Sequence, residues 1–415
     1  MQRFTRTATV ILNQITYQAD GQDVIAGRVD TGVFVAIPAE AREILDLLGS
    51  GLNIGQVSDT FQAKYGETPD LEDFLTLLEG KGLISLAGES RDTVMAAAPE
   101  KRQLAYHFSN FPQPLARLLF GRPALIIYGI VIAAAIFEII IHPSITPGVS
   151  DLYFPSDRAL TWGMVVLAAY FSLFLHELAH LIAARAHGIN SRLGVGHRLW
   201  FLVAETDLTG LWSIPRNERY LPFVAGMIFD AVLCAGIIFV LVAHMHGALA
   251  LSALLLRFFR ALLFTLLMRL VWEFFLYLRT DIYYVIANAF KCRNLLGDTE
   301  AFLRNQAARV FPSIRKVSLD GIPPQELRVI RIYSIIWILG RVWAVTVLVT
   351  VTIPLLVHYT NDLRDVFVAG YSSSPSNFID SLVLFMSFFV PLTIGAVLWI
   401  QGLLRRGRTL SWLSQ

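Results

Sequence analysis

The chain has little charge and almost no cysteine. Of its 415 residues, 16% are Asp, Glu, Lys or Arg, and the two cysteines are Cys234 and Cys292. Two isolated cysteines exclude a disulfide framework and a cysteine-based zinc site, so any metal would be held by histidine and carboxylate side chains. The first ten residues, MQRFTRTATV, lack the long apolar core and cleavage site of a secretory signal. We therefore expect the segment before the first membrane span to stay in the cytoplasm.

The sequence is rich in apolar residues. They make up 55% of the chain, and its mean hydropathy of +0.56 lies outside the usual range for soluble globular proteins. A net charge of +2 is too small to indicate a nucleic-acid partner. We therefore expect a mainly α fold: a polytopic membrane helix bundle of about six transmembrane helices, embedded in the lipid bilayer, with an N-terminal α+β domain.

Six apolar stretches are long enough to span a bilayer. They cover residues 121–142, 160–184, 220–243, 260–279, 330–357 and 378–402. Lys and Arg concentrate at one set of ends, which by the positive-inside rule faces the cytoplasm and places both termini there. Arg257 and Arg260 lie at the opposite end, and we expect them to be interfacial or paired within the bundle. The chain is thus predicted to be a multi-pass protein of the cell membrane.

Residues 1–90 have the pattern of a separate domain. Alternating apolar residues predict strands at Gly21–Asp30 and Thr31–Ile37, and Pro38 opens the first of three helices. We predict these helices at residues 39–48, 54–65 and 71–78, and a last strand at 83–86. This order indicates a small winged-helix-like α+β unit, followed by a polar linker over residues 91–120.

Two segments of this domain are VDTGVFVAIPAEAREILDLLGSGLNIGQVSDTF and PDLEDFLTLLEGKGLI. In them the domain resembles the PqqD-like recognition domains of ribosomal peptide maturation systems. Members of that family bind the leader of a precursor peptide by adding it as a strand to a sheet edge. The resemblance implies that residues 1–90 capture a leader peptide. The alternative is a generic winged helix used for oligomerisation or regulation.

The most informative stretch is FSLFLHELAHLIAARAH, residues 171–187, in the second apolar segment. On a helix, His176 and His180 lie one turn apart on one face, within reach of a single Zn²⁺. Glu177 follows the first histidine closely enough to act on a water at that metal, as in other H-E-x-x-H motifs. Ionisable groups this deep in an apolar helix indicate a functional site. The alternative is that all three hydrogen-bond to neighbouring helices.

A third metal ligand is missing from this motif, because catalytic zinc sites commonly have three protein ligands. The candidates among apolar segments are Asp230, Glu273 and Asp281. Glu273 has Arg269 at i−4 and can be neutralised as an ion pair on its own helix. Asp230 follows a predicted cytoplasmic loop, and Asp281 lies at the inner end of the fourth span, at a depth similar to that of the histidines. The residues alone leave all three open.

Taken with HELAH, two later stretches carry a second resemblance: Ala225–Asp230, AGMIFD, and Thr280–Tyr284, TDIYY. Residues 121–310 resemble the site-2 protease family of intramembrane zinc metalloproteases, closest to its branch associated with peptide maturation. In that family an Asp from a later segment, typically within L-D-G, joins the two histidines, and an A-G-P-x-x-N stretch lies between them.

This second resemblance implies a specific site. Zinc would be bound by His176, His180 and Asp281, and Glu177 would be the catalytic base. The chain departs from the family pattern where Met227 replaces Pro, Ile282 replaces Gly, and Asp230 occupies the place of Asn. Residues 311–415 lie beyond this core and are predicted to form C-terminal transmembrane helices.

Between the second and third spans lies Ser191–Arg219, with the alternating sequence RLGVGHRLWFLVAETDL. The alternation, together with Gly194 and Gly196, favours a β-hairpin or re-entrant strand pair over a helix. A proteolytic substrate must be extended, so a strand edge beside the metal could pair with it.

We predict from these features a zinc-dependent intramembrane endopeptidase that cleaves a peptide bond near the cytoplasmic side. Its substrate would be a peptide, such as a leader-bearing precursor, or a membrane protein. One alternative is a subunit of a peptide export or maturation complex without proteolytic activity, in which the N-terminal domain recruits maturation or export proteins. Another is regulated intramembrane proteolysis of a transmembrane regulator, with the N-terminal domain as a gate.

Overall fold

The computed structural model is mostly helical and divides into two compact units. The N-terminal unit comprises Met1–Ser109, His187–Arg192 and Asp207–Arg219; the helical unit comprises Asn110–Ala186, Leu193–Thr206 and Tyr220–Gln415. The structure describes residues 4–21, 23–87, 106–107, 111–152, 158–198, 201–292, 294–319, 322–354 and 375–412, with scattered positions from 357 to 368.

The N-terminal unit contains two small antiparallel sheets and a group of helices. Strand β1 (Val10–Leu12) pairs with β5 (Ile84–Leu86), and a second sheet has the order β2 (Thr16–Asp20), β3 (Asp23–Arg28), β4 (Val33–Pro38). The helices are α1 (Ala39–Gly49), α2 (Ile54–Tyr65) and α3 (Leu71–Gly80), and a short strand β6 covers Tyr106–His107. The predicted order of strands, three helices and strand is confirmed. Strands β1 and β2 are additions to it.

Local signals position the helices of this unit. Asn53 and Gln56 form a reciprocal capping box at the start of α2, and Asp70 caps α3 through the amide of Asp73. Side chains from all three helices then enter one apolar core, in which Leu45 and Leu75 are fully buried. Because the first amides of a helix have no partner within it, these caps satisfy donors that would otherwise depend on water.

A segment distant in sequence completes the N-terminal unit. Residues Thr209–Ser213 form a 3₁₀ turn that contacts β2, β3 and β4. Val24 and Ala26 of β3 belong to the core formed with the helices. Because side chains alternate along a strand, Ile25 lies on the opposite face of the sheet, and it is also buried. Arg216 anchors the segment by donating from Nε to Asp20 Oδ1 at 2.9 Å. The sheet is therefore covered on both faces.

The described part of the helical unit consists of long helices and one hairpin. Its helices are α4 (Gln113–Leu119), α5 (Arg122–Ile141), α6 (Arg158–Ala186), α7 (Tyr220–Met245), α8 (Ala253–Trp272), α9 (Asp281–Ala289), α10 (Leu295–Val310), α11 (Pro324–Val347) and α12 (Pro375–Trp412). Strands β7 (Arg192–Arg198) and β8 (Phe201–Asp207) are neighbours in one sheet, which confirms the hairpin predicted between the second and third spans. Helix α4 falls within the predicted linker, so residues 113–119 are not an irregular connector.

Five helical segments among the described residues are long and apolar enough to cross a membrane. They are Gln113–Ile141, Gly163–Ala186, Arg216–Met245, Pro324–Thr350 and Phe378–Gln401. This finding supports a helical membrane protein.

The stretch predicted at 260–279 is different from the other five. Helix α8 ends at Trp272 instead of reaching 279, and it carries Arg257, Arg260 and Arg269. Arg260 donates from Nε to Asp151 Oδ1 at 2.8 Å, which confirms the expectation that it is paired.

Candidate metal centre

Three side chains from two helices converge inside the helical unit. His176 and His180 project from α6, and Asp281 is the first residue of α9. The two Nε2 atoms are 3.2 Å apart, and Asp281 Oδ2 lies 3.0 Å from His180 Nε2 and 3.4 Å from His176 Nε2. Both histidines are almost completely buried. This is the one group of histidine, cysteine or acidic side chains with metal-binding geometry among the described residues.

Hydrogen bonds at the far side of each imidazole orient the two rings. His180 Nδ1 donates to the carbonyl oxygen of Pro222 at 2.7 Å. His176 Nδ1 lies 2.8 Å from Asp230 Oδ2, which accepts a hydrogen bond from it. In a neutral imidazole with a protonated Nδ1, the other ring nitrogen carries a lone pair. Both Nε2 lone pairs therefore face Asp281.

The arrangement of these atoms fits a single cation. Ligand atoms bound tetrahedrally to zinc at about 2.0–2.1 Å lie roughly 3.3 Å from one another, close to the three separations in this group. Asp281 Oδ2 is buried and receives no hydrogen bond. Two imidazole lone pairs and a carboxylate oxygen in mutual contact repel one another unless a positive charge lies between them. The group could therefore bind a metal ion.

Gly226 leaves the space that this arrangement requires. A Cβ atom built at Gly226 would lie 2.4 Å from Nε2 of both His176 and His180. Real Cβ atoms essentially never approach other atoms so closely, so any larger residue would displace the imidazoles. Helix α7 thus presents the backbone of Gly226 to the two Nε2 atoms.

The other two candidates for the third ligand have different roles. Asp230 is fully buried, but it contacts Nδ1 of His176 and a guanidinium, that of Arg269. Glu273 accepts the backbone amide of Asp281 through Oε2 at 2.8 Å. Neither belongs to the group formed by the two Nε2 atoms and Asp281. The alternatives of Asp230 and Glu273 as the third ligand are therefore not supported by the geometry.

Glu177 is also buried, and the hairpin holds it. The Thr206 hydroxyl on β8 lies 2.7 Å from Glu177 Oε2 and 3.1 Å from the backbone oxygen of Glu177. Strand β8 therefore contacts the acidic residue of the HELAH motif directly. These contacts hold the Glu177 carboxylate in one position.

Comparison with known proteins adds nothing to this geometry. No protein-family model, curated protein or solved structure matches the chain.

Sequence reasoning missed the residues that surround the centre. It paired Arg269 with Glu273, whereas the structure places the guanidinium of Arg269 on Asp230 of α7. A signal was present, because charged residues in apolar helices usually pair with one another across the bundle. Thr206 and the carbonyl of Pro222 carried no comparable signal, since hydroxyl and backbone groups occur everywhere in the chain.

Proposed function

We propose that this chain is a zinc-dependent intramembrane endopeptidase of the site-2 protease type. The observation that carries the proposal is the convergence of both HELAH imidazoles with the Asp281 carboxylate, beside a buried glutamate from the same motif. Two histidines and one carboxylate are a common protein ligand set of hydrolytic zinc, with a further position left for water. Two of the apolar segments, Gly163–Ala186 and Arg216–Met245, carry the two histidines and their hydrogen-bond partners, which supports a location within the membrane.

The residues of the site divide the reaction between them. When bound, zinc supplies a Lewis acid that activates water and polarises a carbonyl near neutral pH. His176, His180 and Asp281 would hold that ion, and Glu177 would take the proton from the attacking water and return it to the leaving amine. The hydrogen bond from Thr206 keeps the Glu177 carboxylate in one orientation. No serine or cysteine nucleophile is needed.

The hairpin and the N-terminal unit support a peptide substrate. A peptide bond in a helix is shielded by its own hydrogen bonds, so an extended substrate paired with the edge strand β8 would be exposed to attack. In the N-terminal unit the β2–β3–β4 sheet is covered on both faces, which leaves strand edges as the surface for an added strand. We propose that this sheet captures the leader of a precursor peptide, and that both termini of the chain are cytoplasmic.

The decisive test of the chemistry is Glu177→Gln in the full chain, with a candidate precursor co-expressed. Cleavage should fall by at least about 100-fold, because general-base catalysis is lost, while bound zinc should remain. Glu300→Gln, a glutamate of α10 outside the site, serves as the matched control and should cleave normally. Normal processing by a zinc-containing Glu177→Gln variant would reject the proposal.

Leader capture has its own test, deletion of residues 1–95. Capture predicts that cleavage of a leader-bearing precursor is lost, whereas a gating role predicts that cleavage increases. Deletion also removes Asp20, the partner of Arg216 and of the buried Arg219. Asp20→Asn, which breaks those ion pairs and keeps the sheet, therefore separates loss of capture from disturbance of the segment at 207–219.

A further inference from the structure

Two charged residues at the end of α8 each contact a different part of the metal centre. Arg269 and Glu273 are one helical turn apart, and the structure gives each a partner on another helix. Arg269 binds Asp230, the partner of His176. Glu273 binds the backbone of Asp281. The last turn of α8 is thus connected to two of the three metal-binding residues.

The first connection passes through the fully buried carboxylate of Asp230. Arg269 Nε donates to Asp230 Oδ2 at 2.7 Å, and its Nη2 donates to Oδ1, a bidentate arrangement that fixes the plane of the carboxylate. The same Oδ2 accepts from His176 Nδ1. Arg269 Nη1 also lies 3.1 Å from the Ser172 hydroxyl, one turn before His176 on α6. Arg269 therefore joins α6, α7 and α8 around one imidazole.

The second connection closes the loop between α8 and α9. Glu273 Oε2 accepts the amide of Asp281 at 2.8 Å, and the Thr280 hydroxyl donates to the backbone oxygen of Glu273 at 2.6 Å. Arg279, within this loop, has a left-handed backbone with φ of 56°, which L residues adopt only when their surroundings hold them there. The two hydrogen bonds determine where α9 begins and hence where the Asp281 carboxylate lies.

We propose that Arg269 and Glu273 are positioning residues of the metal centre. Arg269 holds His176 through Asp230, and Glu273 holds Asp281 through its backbone amide. This positioning role rests on the proposed function, because it requires that His176, His180 and Asp281 bind a metal ion. Partners of this kind around a metal site typically change metal affinity by 10- to 100-fold when they are lost.

The two positions need different test variants, because Arg269 contacts a charged carboxylate and Glu273 contacts a backbone amide. Without Arg269, the buried carboxylate of Asp230 loses its counterion, and its plane is no longer fixed against His176 Nδ1. Removing both charges restores balance, since an asparagine oxygen still accepts from His176 Nδ1. At Glu273 a glutamine oxygen can accept the amide of Asp281 in place of the carboxylate oxygen.

Metal affinity of the purified full chain tests Arg269. Zn²⁺ binding is measured by competition with a chromophoric chelator, and the visible spectrum of the Co²⁺ form reports ligand geometry. Arg269→Met should weaken binding by about 10- to 100-fold and alter the Co²⁺ spectrum. Asp230→Asn combined with Arg269→Met should recover roughly tenfold of that loss. Arg257→Met, an exposed arginine on the same helix, is the control and should bind as the wild type does.

The same measurements test Glu273 with a matched pair of variants. Glu273→Ala should weaken binding by about 10- to 100-fold, whereas Glu273→Gln should keep the wild-type affinity and Co²⁺ spectrum. The unfolding temperatures of the two metal-free variants are the control. If these temperatures are equal, a general folding defect cannot explain a difference in metal affinity between Glu273→Ala and Glu273→Gln.

Two results would overturn all or part of this positioning role, and a third would reject the proposed protease function alone. Wild-type metal affinity in both Arg269→Met and Glu273→Ala would overturn it. Failure of the Asp230→Asn, Arg269→Met double variant to recover affinity would overturn the role of Arg269. If the variants rank as expected but the wild type cleaves no peptide, the proposed protease function fails and the positioning role stands.

Discussion

The helix caps of the N-terminal unit and the buried centre of the helical unit satisfy their polar groups over very different distances in sequence. In the N-terminal unit the caps act over three residues, as between Asn53 and Gln56. In the helical unit, 54 residues separate His176 from Asp230, and 39 separate Asp230 from Arg269. Helix ends in contact with water can rely on nearby side chains and solvent. A polar group inside a bundle of apolar helices must find its partner on another helix.

This difference places structure and chemistry in separate parts of the chain. A change in the N-terminal unit should alter stability and leave the affinity for metal unchanged. A change around the histidines should alter metal affinity first, because those residues are held by one another. The following predictions test this separation.

Gly226→Ala should have the largest effect. The added methyl group would collide with Nε2 of His176 and His180, so we expect metal affinity to fall by about 100-fold or more and cleavage to be lost. Gly236→Ala, on the same helix and with open space around its Cβ, is the control. Zinc content and chelator competition measure the effect. Normal metal affinity in Gly226→Ala would contradict the geometry of the centre.

Leu75→Ala should destabilise the N-terminal unit without changing metal affinity. The side chain is fully buried in the core of that unit, and such truncations cost about 2–5 kcal/mol. Leu77→Ala, half exposed on the same helix, should have little effect. Hydrogen exchange of the α3 amides in the full chain measures the loss. Weaker zinc binding in Leu75→Ala would show that the two units are energetically coupled.

Asn53→Ala should have a smaller effect of the same kind. It removes the oxygen that caps the amide of Gln56 at 2.8 Å, at a cost of about 1 kcal/mol. Asn53→Asp retains an acceptor at this position and should remain close to the wild type. Faster exchange in the first turn of α2 is the expected result. Equal exchange in the two variants would show that the cap contributes nothing here.

Asp30 should produce the smallest effect, and it depends on pH. Hydrogen bonding from Arg28 holds the pKa of this carboxyl below its ordinary value of 3.8. Its contribution to stability is therefore present above that ordinary value and is lost as the pH falls through the lower folded-state pKa. Exchange of the β3 and β4 amides, corrected for intrinsic rates, should rise in this acid range. Asp30→Asn should remove that pH dependence.

Much of the N-terminal fold follows from short-range patterns. Helix α2 begins and ends where the helical pattern of the sequence predicts, at Ile54 and Tyr65. Strand β1 was missed because three residues that pair with the far end of the domain carry little local signal. The attachment of residues 207–219 to this unit was missed for the same reason, since their partners are distant in sequence.

The candidate centre divides along the same line. Spacing within one helix was enough to bring His176 and His180 together, because a helical turn places positions i and i+4 on one face. The contact of Asp281 with the histidines agrees with what the family resemblance implied. The pairing of Arg269 with Glu273, inferred from the same i, i+4 rule, gave the wrong partner for Arg269, which binds Asp230 of another helix.

The sequence by itself determined that the chain is apolar and helical, that it begins with a small α+β domain, and that two histidines and a glutamate share one helix. Those properties depend on composition and on spacings of a few residues. Only the tertiary structure decided which carboxylate faces the imidazoles, which residues orient them, and why Gly226 must lack a side chain. These contacts depend on how separate helices pack against one another. Many packing arrangements satisfy one hydropathy pattern, but few of them give each buried charge a partner.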